Sequence, residues 1–318
     1  MASKQIAGTL RTAAKSLLGV SDDPNVLNAA VLNPSFLLND PTIRAPLERA
    51  DALINDTASI DRPRLFDDVS LDTFALLAAG EYEGLPNLRA WLPKMPTPEQ
   101  QVGSVGTSGV WAMLQAADFV RNAVAGLLAD GKSMHNVRIL DYGICWSRLS
   151  RLFYKYTPVE RLYGVDAWPD SLNLSRIAGF RGNLGLVDRV PTTLPFHKPF
   201  NLAYAFSIFT HLSPASADAA ARTIRAGLAP GGLFALTIRP SEYWTLLGDD
   251  GAAHRAQLQE TGFGFTPDAW AVQSGNPDYG NSTVSLDYIR RNWAGFAVER
   301  VEILPIDAYQ IFVLLRAV

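Results

Sequence analysis

Three aspartates in the middle of the chain have the type and spacing expected of ligand-binding acids. Asp141, Asp166 and Asp188 each follow a short apolar run, and such runs are typical of buried parallel strands. Ligands of open parallel sheets bind beyond the carboxyl ends of the strands. Asp166, after the second run, is therefore placed to accept hydrogen bonds from both hydroxyls of a ribose. The stretch 137–168 predicts strand, turn, helix, strand and acid, which is half of a nucleotide-binding sheet.

A turn of small residues follows Asp141 and offers backbone N–H groups to a polar or anionic ligand. The dinucleotide fingerprint G-x-G-x-x-G would need glycines where Gly143, Cys145 and Arg148 stand, and Arg148 is too large for the third position. The alternative spacing, acid-x-G-x-G-x-G, matches Asp141, Gly143, Cys145 and Ser147, which are all small after the acid. An ordinary strand-to-helix turn without a ligand is the other interpretation.

The composition excludes several classes of protein. The chain of 318 residues has a net charge of −3 and is 48% hydrophobic, which predicts a soluble globular protein without a general affinity for nucleic acid. Its single cysteine excludes an intramolecular disulfide framework and a cysteine-based zinc cluster, and we expect no metal site. No stretch is apolar enough to span a bilayer. Residues 1–20 are basic and amphipathic, so an organellar presequence or a membrane-surface segment are alternatives to the surface helix of a cytoplasmic protein that we favour.

The first hundred residues predict a helical extension ahead of the domain that carries the aspartates. Helical patterns cover 3–19, 24–32, 45–55 and 71–80. Residues 91–109 are rich in proline, glycine and serine, which indicates a flexible loop that either links two parts or folds over a bound ligand. A helix over 110–128 follows. We therefore expect an extension over 1–100 and a second domain over 101–318.

Strands and helices alternate after Asp166, which requires a parallel sheet with crossover helices. The predicted strands are 184–187, 200–206, 233–238, 296–303 and 309–315. The predicted helices are 171–180, a helix through 228 that Ser213 or Ser216 caps, and 285–293, with a turn over 229–232. Only five residues separate the last two strands, so this pair must be antiparallel. We expect an α/β fold with a doubly wound, mostly parallel, seven-stranded Rossmann-like sheet, an antiparallel C-terminal strand pair and an aromatic-rich insertion at about 240–284.

Several segments resemble the motifs of class I S-adenosylmethionine-dependent methyltransferases. ILDYGICWSRLSRLF is similar to their first motif, and LYGVDAWPDSL is similar to the motif at the end of their second strand. LVDRVPTTLPF, FNLAYAFSIFTHLSP and LAPGGLFALTI are similar to their third, fourth and fifth strand segments. The resemblance extends over about residues 100–318 and includes the antiparallel tail, which separates these enzymes from dinucleotide dehydrogenases. It is in particular a resemblance to bacterial enzymes that modify glycans or small molecules.

The resemblance implies S-adenosylmethionine as the cofactor and assigns roles to individual residues. The implied contacts are the methionine part with Asp141, Gly143, Cys145 and Ser147, the ribose with Asp166, the adenine with Ala167, Trp168 and Asp188, and the methyl group with Phe206 and Ser207 beneath it. Cys145 and Ser147 carry a Cβ where the family usually has none. A protein that keeps the fold and has lost the cofactor is therefore an alternative.

Methyl transfer from a sulfonium ion is an in-line displacement, so the acceptor must be aligned and a hydroxyl acceptor needs a base. His211, after the fourth strand, is the predicted base, and a histidine that only packs at a helix start is the alternative. Arg239, after the fifth strand, could hold an anionic acceptor or could pair with a nearby acid. The remaining acceptor-side candidates are Glu242, Tyr243, His254 and Tyr279.

We therefore expect a methyltransferase that acts on an oxygen atom of a small molecule or glycan. An N-methyltransferase, and a cofactor-binding or partner-binding protein without turnover, are the alternatives. The expected partner is the acceptor alone, without nucleic acid and without stable membrane insertion. Association into a homo-oligomer is left open.

Overall fold

The computed structural model describes residues 38–56, 61–248, 250–307 and 309–318 of the chain. The helices predicted over 3–19 and 24–32, and the basic segment 1–20 with its presequence and membrane-surface alternatives, lie outside these residues. None of the described helices is long and apolar enough to cross a membrane.

A seven-stranded sheet forms the centre of the structure. Its strands are β1 Ile139–Tyr142, β2 Leu162–Asp166, β3 Asn183–Leu186, β4 Phe200–Ala205, β5 Leu228–Ile238, β8 Phe296–Ile303 and β9 Ile311–Ala317. The strand order is β3-β2-β1-β4-β5-β9-β8. The first five strands are parallel, and β9 runs antiparallel to both of its neighbours. The predicted fold class is confirmed.

The central strands are apolar on both faces because helices cover both faces of the sheet. All four residues of β1 are buried. Ile139 belongs to the hydrophobic core on one side of the sheet, and the next residue, Leu140, belongs to the core on the other side. A central strand such as β1 therefore requires a continuous run of apolar residues, and this run predicted the strand from the sequence.

The helices complete the two outer layers. In chain order they are α1 Pro41–Leu53, α2 Leu71–Ala79, α3 Pro86–Trp91, α4 Pro98–Val105, α5 Gly109–Ala129, α6 Pro169–Ala178, α7 Pro214–Gly227, α8 Asp250–Thr261, α9 Ala269–Gln273 and α10 Leu286–Asn292. Short 3-10 helices cover Arg62–Phe66, Met134–Asn136, Ser150–Lys155, Val159–Arg161 and Ser241–Leu247. The side chain of Ser213 caps α7, which decides between the two serines proposed as its cap.

The described part of the N-terminal extension shares one core with the sheet. Phe66, which follows α1, stacks on Trp91 with ring centroids 5.7 Å apart, and Trp91 contacts Tyr154 at 5.1 Å. All three side chains belong to the hydrophobic cluster that also contains Ile139 of β1. The boundary expected near residue 100 therefore does not coincide with a break between two cores.

Three local predictions differ from the structure. The predicted helix after the first turn is the 3-10 helix Ser150–Lys155, because the guanidinium group of Arg151 binds the carbonyl oxygens of Trp146 and Ser147. The predicted loop 91–109 contains α4, which begins with a capping box between Thr97 and Gln100. The predicted turn 229–232 lies within β5, opposite a register shift in its pairing with β4.

The insertion over 240–284 forms a small second sheet that lies across the carboxyl edge of the main one. Its strands, β6 Phe263–Pro267 and β7 Gly280–Val284, pair with each other in antiparallel fashion. The backbone N–H groups of Gly280 and Ser282 donate to the carbonyl oxygens of His211 and Thr210, just beyond β4. This backbone pairing fixes the insertion over the strand ends, where ligands of parallel sheets bind.

Candidate functional site

A cleft of about 1280 Å³ opens at the carboxyl edge of β1, β2, β4 and β5. This volume exceeds the roughly 300–1,000 Å³ of a typical small-molecule pocket, so it is large enough for two ligands side by side. One wall comes from α4 and the turn after β1, and the opposite wall comes from the insertion and the loop between β8 and β9. The cleft therefore joins parts of the chain that are more than 200 residues apart.

The turn after β1 has the backbone conformation that its sequence spacing indicated. Gly143, Cys145 and Ser147 have φ angles of 85°, 48° and 60°, in the left-handed region. The N–H groups of Gly143 and Ile144 both donate to the carbonyl oxygen of Val165 in β2, which holds the turn against the neighbouring strand. Two residues with a Cβ thus adopt the conformation that favours glycine, and this costs about 1–2 kcal/mol for each.

The side chains of Cys145 and Ser147 lie on different sides of this turn, although the sequence pattern placed both residues beside the ligand. Cys145 lines the cleft, and burial raises the pKa of its thiol to about 11, so the thiol stays protonated near neutral pH. Ser147 is fully buried beneath the turn, and its hydroxyl donates to the carbonyl oxygen of Trp146. The side chain of Ser147 therefore points into the core and not into the cleft, so the structure gives its predicted ligand contact no support.

Asp166 lies at the end of β2 and faces the cleft. Its two carboxylate oxygens accept backbone N–H groups of Cys145 and Trp168, each at 3.0 Å. Burial raises its pKa, and these backbone hydrogen bonds oppose the rise. A carboxylate has about four acceptor positions, so two stay available to a ligand after these bonds are made.

Asp141 is held inside the floor of the cleft. It is 4% exposed, and its Oδ2 accepts hydrogen bonds from the hydroxyls of Ser150 at 2.8 Å and Tyr204 at 2.9 Å. Burial raises its pKa to about 7, and the two hydroxyl hydrogen bonds oppose this rise. A positively charged ligand in the cleft would favour its ionised form.

The adenine side predicted from the sequence is only partly assembled. Ala167 and Trp168 line the cleft, whereas Asp188 is exposed beyond β3 and does not line it. The structure therefore gives the predicted contact of Asp188 with an adenine amino group no support. The structure instead brings Trp270 and Tyr279 of the insertion to Trp168, with ring centroids 5.9 and 5.2 Å away.

Phe206 and Ser207 directly follow β4 and both line the cleft. Ser207 has a left-handed φ of 58°. Its N–H donates to the hydroxyl of Thr237 at 2.7 Å, and its own hydroxyl accepts from Nε2 of Gln310 at 3.0 Å. These bonds tie the end of β4 to β5 and to the loop after β8, so the floor of the cleft is fixed from both sides.

The geometry of His211 does not support its predicted role as a general base. Nδ1 lies 2.7 Å from the carbonyl oxygen of Gly280, and Nε2 lies 3.3 Å from Nη2 of Arg239. A carbonyl only accepts and a guanidinium only donates, so Nδ1 carries the proton and the lone pair of Nε2 receives the arginine. Burial and the nearby charge of Arg239 lower the pKa of His211 to about 3. His211 is therefore a positioning residue in this structure.

We expect His211→Ala to lower the free energy of unfolding by about 1–3 kcal/mol, because two buried polar partners lose their bonds. The imidazole ring of His211 also stacks on the ring of Tyr279, with centroids 5.2 Å apart and an angle of 6° between the ring planes. The matched control is His197→Ala, since His197 is exposed and should change stability by no more than about 0.5 kcal/mol. Urea denaturation of both variants measures the difference.

The same variant tests the protonation of His211. Its folded pKa lies below the unfolded value of 6.5, so the unfolded chain takes up the proton first as the pH falls. The stabilising effect is present above pH 6.5 and is lost as the pH falls towards the folded value. Wild type should therefore lose more stability than His211→Ala between pH 7 and pH 5. Equal losses would mean that His211 titrates normally.

Three of the five acceptor-side residues predicted from the sequence line the cleft, namely Arg239, Tyr243 and Tyr279, whereas Glu242 and His254 do not. Arg239 and Tyr243 line it, and the guanidinium group of Arg239 lies over the Tyr243 ring at 4.1 Å from the centroid. His254 packs on Trp244 with ring centroids 4.6 Å apart and does not line the cleft. The position of His254 on α8 therefore gives its predicted acceptor-side role no support.

Sequence reasoning missed the side chains that the loop between β8 and β9 contributes. Asp307, Tyr309 and Gln310 line the cleft opposite Gln115 and Arg148. Asp307 accepts hydrogen bonds from Nε2 of Gln115 at 2.8 Å and from the backbone N–H of Tyr309 at 3.2 Å, and burial raises its pKa. The signal in the sequence that could have identified them is the polar segment Asp-Ala-Tyr-Gln between the apolar residues of the last two strands.

Metal binding has no candidate site in the described part of the chain. No group of three or more histidine, cysteine, aspartate or glutamate side chains there could hold a metal ion. The aspartates of the cleft are instead bonded to hydroxyls, amides and backbone N–H groups.

Comparison with known proteins gives structural similarity only. No family model matches the chain, and no curated protein sequence is significantly similar to it. Similar solved structures include magnesium protoporphyrin IX methyltransferase from Synechocystis PCC 6803 with bound S-adenosylhomocysteine, at 15% identity over 65% of this chain and 86% of that chain, with a TM-score of 0.46. An amino pentose methyltransferase from Micromonospora echinaspora, with bound S-adenosylmethionine, is 16% identical over 70% of this chain and 98% of that chain, with a TM-score of 0.46.

A third structure, an S-adenosylmethionine-dependent methyltransferase from Mesorhizobium loti, is 16% identical over 63% of this chain and 97% of that chain, with a TM-score of 0.44. These similar structures are S-adenosylmethionine-dependent methyltransferases, and two of the three contain the cofactor or its demethylated product. Identities and TM-scores of this size do not establish a shared activity.

Proposed function

We propose that the protein is an S-adenosylmethionine-dependent methyltransferase that methylates an oxygen atom of a small molecule or glycan. The observation that carries this proposal is the position of Asp166 at the end of β2, bonded to the left-handed turn after β1 within one large cleft. An acid and a tight turn in this arrangement bind the ribose and the polar end of a nucleoside ligand. The antiparallel β9 distinguishes the sheet from that of a dinucleotide dehydrogenase.

The residues of the cleft fit such a cofactor. Gly143 and Ile208 border the cleft together, and the Ile208 side chain occupies the space that a Cβ at Gly143 would need, with Cδ1 at 2.2 Å. Asp166 keeps two acceptor positions for the ribose hydroxyls. Asp141 provides a buried carboxylate for the positively charged methionine part, and Trp168 and Ala167 border the adenine side. When bound, the cofactor supplies an electrophilic methyl group.

The other residues of the cleft would orient the acceptor and remove its proton. Phe206 and Ser207 form the floor between the two halves of the cleft, and Tyr243 and Tyr309 form an aromatic wall with ring centroids 6.1 Å apart. A hydroxyl acceptor needs a base within hydrogen-bond reach. With the Nε2 lone pair of His211 occupied, the carboxylate of Asp307 is the side chain of this half that can accept a proton.

Calorimetric titration with S-adenosylmethionine and S-adenosylhomocysteine, and with NAD as the control, tests the proposal directly. We expect both sulfur nucleosides to bind with one site per chain and NAD not to bind. If neither binds at millimolar concentration, the protein is not a methyltransferase of this kind. Binding without turnover across a broad panel of hydroxyl and amine acceptors would support a binding protein, and turnover of amines alone would support N-methylation.

A further inference from the structure

Arg239 is a cation in the acceptor half of the cleft without an acidic partner. No carboxylate forms an ion pair with it within 4.0 Å among the residues that the structure describes. Asp307 and Asp268 act on its charge from a greater distance, and burial lowers its pKa. Arg239 is half-buried and lines the cleft. The interpretation that Arg239 pairs with a nearby acid therefore loses its support.

The hydrogen bonds of Arg239 occupy only one side of its planar group. Nη1 donates to the carbonyl oxygen of Thr210 at 2.7 Å and to Oδ1 of Asn281 at 3.0 Å. Nη2 donates to Nε2 of His211 at 3.3 Å. Nε makes no hydrogen bond in the described structure, and it is not among the polar atoms that are sealed from solvent without a partner. The Nε–Nη2 edge is thus open to the cleft.

The surroundings hold this edge in a fixed direction. The ring of Tyr243 covers one face of the guanidinium group at 4.1 Å, and its hydroxyl donates to Oδ1 of Asn281 at 2.6 Å, the same oxygen that binds Nη1. Asn281 is held in turn by Oδ1 of Asp268 at 3.0 Å. A guanidinium group that is held along one edge and covered on one face loses little side-chain entropy when it binds an anion along its open edge.

We propose that the acceptor carries a carboxylate or phosphate group, which Arg239 binds through Nε and Nη2. This inference rests on the proposed function and names the chemical class of its acceptor. Two oxygens of either group match the spacing of two parallel N–H donors. The apolar wall of Tyr243 and Tyr309 lies beside the fork, so the body of the acceptor next to the anion is expected to be apolar or ring-shaped.

The test uses the full-length protein saturated with S-adenosylhomocysteine, and small probes in place of the acceptor. Benzoate, phenyl phosphate and the neutral isostere benzamide are titrated by ligand-observed NMR. We expect at least one anion to bind about tenfold or more tightly than benzamide, since hydrogen bonds to charged groups exceed neutral ones by this order. Comparison of benzoate with phenyl phosphate separates a carboxylate site from a phosphate site.

Two variants distinguish anion binding by the guanidinium group of Arg239 from a general attraction of anions to positive charge in the cleft. Arg239→Gln should abolish the preference for anions, whereas Arg189→Gln, which removes a guanidinium group from the exposed rim of the same cleft, should preserve it. Equal losses in both variants would overturn the proposal, as would anions that bind no better than benzamide to the wild type. If Arg239→Gln does not fold, the Nε–H resonance of Arg239 in the wild type tests the proposal, and comparison with the spectrum of Arg239→Lys assigns this resonance. We expect the resonance to shift when the preferred anion is added, and an unchanged resonance would overturn the proposal.

The outcomes for the two proposals are distinguishable. Binding of S-adenosylhomocysteine without any preference for anions contradicts only the class of acceptor. A protein that does not bind S-adenosylhomocysteine contradicts the proposed function, and the same probe titrations on the unliganded protein then decide whether Arg239 forms an anion site.

Discussion

Replacement of Asp166 by alanine is expected to weaken the binding of S-adenosylhomocysteine by about 2–4 kcal/mol. Two charge-assisted hydrogen bonds to the ribose would be lost, at about 1.5–3 kcal/mol for each without strict additivity. The carboxylate also fixes the N–H groups of Cys145 and Trp168, so the turn that cradles the ligand loses its anchor. A loss of this size raises the dissociation constant about 30-fold to 1,000-fold.

Asp188→Ala is the matched control for this change. It removes an aspartate from the end of the neighbouring strand, but Asp188 is exposed and does not line the cleft. Calorimetry should find an unchanged dissociation constant for this variant, and circular dichroism should show that both variants are folded. If Asp166→Ala binds as tightly as the wild type, the carboxylate only stabilises the turn and the proposed ribose site is wrong.

Gly143→Ala is expected to have the second large effect, a loss of about 2–5 kcal/mol of stability together with loss of cofactor binding. The backbone at Gly143 has a φ of 85°, which costs a residue with a Cβ about 1–2 kcal/mol. The added methyl would also lie 2.2 Å from Cδ1 of Ile208, and overpacking of this kind costs about 1–3 kcal/mol. Relief of the clash must move either Ile208 or the turn, and both border the cleft.

Gly131→Ala separates the backbone strain from the clash. Gly131 has a φ of 66°, but no atom lies within 4 Å of a Cβ built there, so this variant should lose only about 1–2 kcal/mol. Truncation of the neighbour in the double variant Gly143→Ala with Ile208→Ala should restore part of the lost stability. If Gly143→Ala loses no more stability than Gly131→Ala, the turn adapts to the added methyl group at little cost in free energy.

The positions of the strands and of the first turn followed from the sequence because their causes are local. A central parallel strand is buried on both faces, so it appears as a short apolar run, and β1, β4 and β5 were found in this way. The alternation of these strands with helices required the parallel sheet, and the five-residue connection required the antiparallel β8–β9 pair. The position of Asp166 in the cleft follows from the same pattern, since it directly ends such a run.

Other features were decided by contacts between distant parts of the chain. Ser147 and Asp188 matched a motif by spacing, yet the left-handed turn buries the first and the end of β3 leaves the second in solvent. The 3-10 helix after the turn depends on Arg151, whose partners include the carbonyl oxygens of Pro93 and Lys94. A spacing rule holds no information about such partners.

The sequence by itself determined the fold class and the positions of Asp166 and of the turn after β1, because strand burial and turn geometry depend on neighbouring residues. Only the tertiary structure decided the acceptor half. It brings Arg239 beyond β5, His211 beyond β4 and Asn281 of β7 together, and the bond from Arg239 to His211 occupies the nitrogen that a base would need. The protonation state and the free hydrogen-bonding edge of a side chain depend on which partners surround it in space, and these partners lie up to 70 residues apart in the chain.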